Sequence, residues 1–186
     1  MRLLLASKSP RRRQLLSELG FPIEFISLDV DEHVAPDLPA ARVAEHLACR
    51  KAMACPANRI GDDEVLIAAD TVVVHRDRVM GKPANRDEAL AMLRDLQGDS
   101  HEVYTGVCLR SRGRQVSFTE KTVVTFRQLG ERELEYYVDH YRPFDKAGAY
   151  GIQEWIGMVG VSGIQGCYYN VMGLPVAHVY AELMKL

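Results

Sequence analysis

The four cysteines of this chain, Cys49, Cys55, Cys108 and Cys167, show no Cys-x-x-Cys spacing, and no histidine stands where it would complete a zinc site. A disulfide framework and a zinc ribbon are therefore not indicated, and the cysteines read as reduced thiols. No apolar run approaches the length of a membrane span, and the apolar stretch behind Arg2 is too short for a secretory signal, so a cytoplasmic protein with no membrane partner is expected. Charge of one sign is also lacking. The net charge of -2 argues against nucleic-acid binding through bulk electrostatics. The Gly-rich run ending in Gly-Lys-Ser or Gly-Lys-Thr is absent, which excludes a P-loop. Six scattered histidines have no nucleophile partner and receive no role. There is no internal repeat, low-complexity tract or linker, and 186 residues suit a single domain over residues 1–186.

What is present is concentrated first in residues 7–13, Ser-Lys-Ser-Pro-Arg-Arg-Arg. A short apolar run, Leu3-Leu4-Leu5-Ala6, precedes it and predicts a buried strand. Leu15, Leu16 and Leu19 follow at helical spacing, with Gly20 as a stop. Ser9 suits an N-cap and Pro10 the first helical position, so the helix starts there. Arg11, Arg12 and Arg13 then fall in a first turn that already carries positive partial charge, at ~0.3–1 kcal/mol each if nothing offsets them. A bound anion resolves the conflict, because free N–H groups, the helix dipole and guanidinium forks would act on it together. Pairing of single arginines with surface carboxylates is the alternative.

Residues 23–28 predict a second strand, running into the acidic cluster Asp29-Val30-Asp31-Glu32, which is either a solvated turn or a source of oxygen ligands for a divalent cation. Residues 40–55 give a long amphipathic helix with Val43, Ala44, Leu47, Ala48, Ala52 and Cys55 on one face and Pro56 closing it. Lys51 lies at the edge of that face, where a lysine near a helix C-terminus can reach water. The apolar strand pattern of residues 65–74 is interrupted by Asp70-Thr71. A carboxylate inside a buried strand must be paired, hydrogen-bonded or metal-bound, so Asp70 is either the partner of an arginine or a catalytic base or metal ligand.

Gly81-Lys82-Pro83 follows a hairpin turning at Arg76-Asp77-Arg78, and residues 85–96 predict a helix ended by Gly98. Two strands over 102–109 and 116–126 and a helix over 131–140 come next. Residues 143–153 alternate polar groups with glycines and offer a second ligand wall. Residues 155–169, apolar and Gly-rich, predict two short strands, and a last helix ends near Leu183.

Taken together, Ser9-Pro10-Arg11-Arg12, Ala69-Asp70-Thr71, Gly81-Lys82-Pro83, the run from Asp145 through Gln153 and Gly173-Leu174-Pro175 closely resemble the Maf family of nucleoside triphosphate pyrophosphatases over essentially the whole chain. The resemblance implies an α/β fold of the Maf and inosine triphosphatase type, a mixed elongated sheet flanked by helices with two lobes around a central cleft. It implies hydrolysis between the α and β phosphates to a nucleoside monophosphate and pyrophosphate, with a divalent metal cation, Mg2+ or Mn2+, as cofactor. By resemblance Asp70 is the proton acceptor, with Asp70 and Glu32 at the metal. The same resemblance implies that Ser9, Arg11, Arg12, Lys51, Thr71, Lys82, Lys146 and Gln153 bind the nucleotide. Arg11, Thr71 and Gln153 match the branch acting on dTTP and UTP; the branch acting on 7-methyl-GTP lacks the Ala-Tyr-Gly-Ile-Gln run. Glu154 departs from the pattern, since a glycine often follows this glutamine. The family's link to septum formation and cell division suggests a regulator without hydrolysis as the other reading. The partner expected is the nucleoside triphosphate, and homodimer formation is left open.

Overall fold

A computed structural model of the chain describes residues 1–31, 33–35 and 38–186. Among the described residues, seven strands form one mixed sheet flanked by helices. They are β1 (Arg2–Ala6), β2 (Ile23–Ile26), β3 (Glu64–His75), β4 (Arg78–Met80), β5 (Ser100–Arg110), β6 (Gln115–Phe126) and β7 (Val161–Gln165). The order is β2-β1-β3-β5-β6-β7, with β4 paired to β3 off that path. The helices are α1 (Pro10–Ser17), α2 (Ala40–Met53), α3 (Arg86–Leu96), α4 (Glu131–Tyr141), α5 (Trp155–Gly160), α6 (Tyr168–Met172) and α7 (Val176–Leu183). The chain divides into two compact units. The first comprises Met1–Thr71, Thr105–Glu120 and Gly173–Leu186; the second comprises Val72–Tyr104 and Lys121–Met172.

In the first unit β1 runs parallel to both β2 and β3, Leu3 standing opposite Ile23 and Val65. A strand between parallel neighbours is covered on both faces, which is why β1 reads as an unbroken apolar run rather than an alternation. Leu3 and Leu5 are fully buried, each contributing ~1.5–3 kcal/mol of hydrophobic stabilisation. Strand β2 ends at Ile26, two residues short of the sequence expectation. α2 buries Val43, Ala44, Leu47, Ala48 and Ala52, the face its periodicity defines.

The second unit packs α3, α4 and the loop around Tyr150 into one apolar cluster that includes Leu93, Leu96, Phe126, Leu134, Tyr137 and Ile156. Asn85 caps α3, its side chain accepting the Glu88 N–H at 2.9 Å, while the Glu88 carboxylate accepts the Ala84 N–H at 2.8 Å. The β3–β4 hairpin turns through Arg76 and Asp77, both at positive φ, as a two-residue turn of the twist-compatible hand requires.

The expectation of two strands over 155–169 is corrected. Residues 155–160 form α5, only 161–165 form a strand, and 168–169 already belong to α6. The glycines there serve close helical packing rather than a strand: a Cβ at Gly157 would fall 1.8 Å from the Ile152 carbonyl oxygen, and one at Gly160 3.2 Å from Leu129. No helix among the described residues is long and apolar enough to cross a membrane.

Candidate active site

In the first unit α1 begins where the sequence places it. Ser9 is the N-cap, its hydroxyl accepting the Arg12 N–H at 3.4 Å, and Pro10 opens the helix. The cap and the helix axis aim Arg12 back across the unit. Its Nε donates to the Gly173 carbonyl at 2.7 Å, its Nη2 to Thr71 Oγ1 at 2.9 Å and its Nη1 to Ser7 Oγ at 3.5 Å. The Thr71 hydroxyl is in turn 2.8 Å from that of Thr105 on β5, which is fully buried. Arg12 is therefore fixed by its neighbours rather than displayed on the surface. Arg11 is partly exposed in the same first turn. Arg13 turns elsewhere, its guanidinium 4.8 Å from the centre of the Phe25 ring.

One residue before Thr71 on β3 stands Asp70, with its side chain 15% exposed. Its Oδ1 accepts from Lys51 Nζ at 2.5 Å. The pairing alternative for Asp70 is thus realised with a lysine, not with an arginine. Lys51 reaches it from the last turn of α2, so the edge position on that helix is a reach toward β3. Strand β3 presents Asp70 and Thr71 consecutively, and consecutive strand residues point to opposite faces. The acid and the hydroxyl therefore meet different partners, Lys51 and Arg12. Glu32 lies outside the described residues. Of its neighbours, Asp31 is exposed and sits 3.4 Å from Arg50 Nη2. The His33 N–H, then Arg50, hold its carboxyl below the ordinary range. Among the described residues no group of three or more His, Cys, Asp or Glu is arranged to hold a metal.

In the second unit the Gly81-Lys82-Pro83 loop is pinned to the turn at residues 146–149, because the Gly148 N–H donates to the Gly81 carbonyl at 3.0 Å. Gly148 has φ +68 and its α-carbon faces Val73, with 3.1 Å left for any added Cβ, so that turn needs glycine. Lys82 is exposed and Lys146 is buried. A buried ammonium must be compensated, and Lys146 Nζ lies 2.7 Å from Asp145 Oδ1 and 3.1 Å from Glu154 Oε1. The other Glu154 oxygen accepts from the Tyr137 hydroxyl, which itself accepts the Gly151 N–H at 3.0 Å. Burial, and then the hydrogen bond to Glu154, push the Tyr137 phenol well above its ordinary range, so it stays a donor. Glu154 is thus built into the support of Lys146. Gln153, one residue earlier, has a buried Oε1 with no hydrogen-bond partner among the described residues.

Several of these groups escape sequence reading. Thr105 looks like an ordinary β-branched strand residue, and Tyr137 like an aromatic on a helix face. The Gly173 carbonyl has no side chain to announce it.

A family model described as Maf-like protein matches residues 2–186, and the chain belongs to this family. Curated relatives point the same way. A protein of Phocaeicola vulgatus named dTTP/UTP pyrophosphatase is 51% identical over 100% of this chain and 96% of its own length. Proteins of the same name from Parabacteroides distasonis and Porphyromonas gingivalis are 49% and 44% identical, each over 98% of this chain and over 94% and 92% of their own lengths. A Staphylococcus aureus Ham1 protein structure covers 68% of this chain and 72% of that one with a TM-score of 0.44 and 13% identity, a likeness too weak to carry an argument.

Proposed function

We propose that the protein is a nucleoside triphosphate pyrophosphatase hydrolysing dTTP and UTP between the α and β phosphates to the monophosphate and pyrophosphate. The observation that carries this reading is the partly buried Asp70 carboxylate held by Lys51. A carboxylate held by a lysine can take a proton from an attacking water, while cationic side chains offset the charge of phosphate oxygens. Full-length relatives bearing the name dTTP/UTP pyrophosphatase support the same reaction.

In this reading Asp70 is the base. Ser9, Arg11, Arg12, Lys51 and Thr71 in the first unit, and Lys82, Lys146 and Gln153 in the second, contact the nucleotide. Asp70 is a hard oxygen donor, and magnesium or manganese commonly takes one or two carboxylates and fills its other positions with water and phosphate oxygens. That donor chemistry fits, with Asp70 and Glu32 as the protein ligands. When bound, the cation adds positive charge against the phosphates. The base preference draws support from Gln153. A buried acceptor left unpaired costs ~1–3 kcal/mol, and the N3–H of thymine or uracil is a donor that would relieve it, whereas N3 of cytosine is an acceptor.

The test is pyrophosphate release from dTTP, UTP, CTP and 7-methyl-GTP with magnesium or manganese, with Asp70→Asn in parallel. The expected outcome is turnover of dTTP and UTP ahead of the others, lowered roughly 10²–10⁴-fold in Asp70→Asn with nucleotide binding retained. Binding without turnover of any nucleotide would overturn the enzyme reading in favour of a nucleotide-binding regulator.

A further inference from the structure

Away from the residues assigned above, the first unit brings two thiols together. Cys49 lies on α2 and Cys108 on β5. Helix and strand approach to backbone contact, since a Cβ at Gly106 would fall 2.1 Å from the Glu45 nitrogen and 2.3 Å from the Ala44 carbonyl carbon. Two residues along the strand, Cys108 belongs to the apolar cluster against which Cys49 packs, and the two side chains are neighbours. Two further on, Arg110 Nη1 donates to the carbonyls of Ala52 at 3.0 Å and Cys55 at 2.7 Å. Residues 106, 108 and 110 share one face of β5, and two strand residues advance ~6.6 Å, about the rise of four to five helical residues. The thiol contact is therefore held in register by a backbone contact on one side and an arginine clamp on the other.

The two sulfurs differ. Cys108 is fully buried, while Cys49 is partly exposed. The neighbouring Cys108, and to a lesser degree Ser117 and Arg42, hold the Cys49 thiol below its ordinary range against desolvation and the charge of Glu45. The neighbouring Cys49 and burial push Cys108 up. A partly exposed thiol with a lowered pKa beside a fully buried one is the arrangement of an attacking and a resolving cysteine.

We propose that Cys49 and Cys108 form an oxidisable dithiol whose oxidant is a hydroperoxide. The Cys49 sulfur attacks the peroxide, forming an S–O bond as the O–O bond breaks and the first water leaves, which gives a sulfenic acid. The Cys108 sulfur then displaces the hydroxyl, forming the S–S bond and releasing the second water. Two thiols lose two electrons and two protons, and one hydrogen peroxide becomes two waters. Closing the bond draws the sulfurs to ~2.05 Å and pulls α2 at Cys49. Two residues further along the helix is Lys51, so oxidation disturbs its contact with Asp70 and lowers hydrolysis, a consequence that rests on the function proposed above.

The experiment exposes the whole protein to hydrogen peroxide, blocks the remaining thiols by alkylation and maps non-reduced peptides by mass spectrometry. The expected result is a Cys49–Cys108 link that consumes two of the four thiols and is undone by dithiothreitol. In Cys108→Ala, Cys49 should be trapped as a sulfenic acid by dimedone. Cys49→Ser, altered at a partly exposed position, should form no link while staying folded by circular dichroism. Four intact thiols after treatment, or a link through Cys55 or Cys167, would overturn the proposal. The mapping needs no turnover, so it stands apart from the enzyme reading. In the activity arm, pyrophosphate release should fall about fivefold or more on oxidation and recover with dithiothreitol, while Cys49→Ser keeps its rate. Equal rates for linked and reduced protein would overturn the coupling to Lys51.

Discussion

Asp70 and Glu154 are both carboxylates facing a lysine, with side chains 15% and 18% exposed, and they are held in opposite ways. Asp70 meets Lys51 through one oxygen. Glu154 spends one oxygen on Lys146 and the other on Tyr137, whose hydroxyl also anchors the Gly151 backbone. A carboxylate engaged at one oxygen can trade its partner for a proton or a cation. One engaged at both, inside a network that fixes a loop, serves as structure. Burial alone does not separate a reactive acid from a supporting one; the count and rigidity of its partners does.

Substitution should separate the two most sharply in kinetics. Asp70→Asn removes the proton acceptor and should lose turnover by the roughly 10²–10⁴-fold given above while its urea midpoint stays near that of the wild type. A variant equally crippled in stability would erase the contrast.

A pH series probes the apolar side of the second unit. His101 is buried against Phe126 and Tyr150, its Nε2 2.7 Å from the Tyr150 hydroxyl. Desolvation, then the nearby His75, lower its pKa from 6.5 to about 4. Between those values the unfolded chain takes a proton that the folded one refuses, so stability falls as pH drops from about 6.5 to about 4. At 1.36 kcal/mol per unit the loss is up to about 3 kcal/mol. Urea unfolding across this window should show that slope, and His101→Phe should flatten it even though its stability at pH 7 is lower.

Glu154→Gln should reverse the Asp70 pattern. It leaves the buried Lys146 with Asp145 as its remaining carboxylate, and a loss of about 2 kcal/mol in urea unfolding is expected, with a smaller change in turnover than Asp70→Asn gives. The smallest effect is expected at Thr105. Thr105→Val keeps the shape but removes the hydroxyl beside Thr71, and about 1 kcal/mol, or roughly fivefold in kcat/KM, should be lost. An unchanged kcat/KM with lower stability would make Thr105 a packing residue only.

Much of this was legible from residues 7–13 and 65–74. Ser9 and Pro10 set the start of α1 because capping and proline geometry are local. The face of α2 followed from a 3.6-residue period, and the need of Asp70 for a partner followed from desolvation. Residues 155–160 misled because Gly157 and Gly160 record the close approach of Ile152 and Leu129, and nothing local distinguishes such a glycine from one in a strand. Tyr137 and Thr105 stayed hidden because their hydroxyls gain meaning only from groups 14 to 34 residues away.

The sequence by itself determined the elements, the charged groups and the positions at which an acid, a hydroxyl and a glycine interrupt an apolar pattern, since these depend on contacts within one or two turns. Only the tertiary structure decided that Lys51, not an arginine, faces Asp70, that Glu154 and Tyr137 hold Lys146, and that Cys49 meets Cys108. Each of those pairings is set by the register of a helix against a strand or of one loop against another helix. That register comes from the packing of many apolar side chains at once, and no local stretch of the chain encodes it.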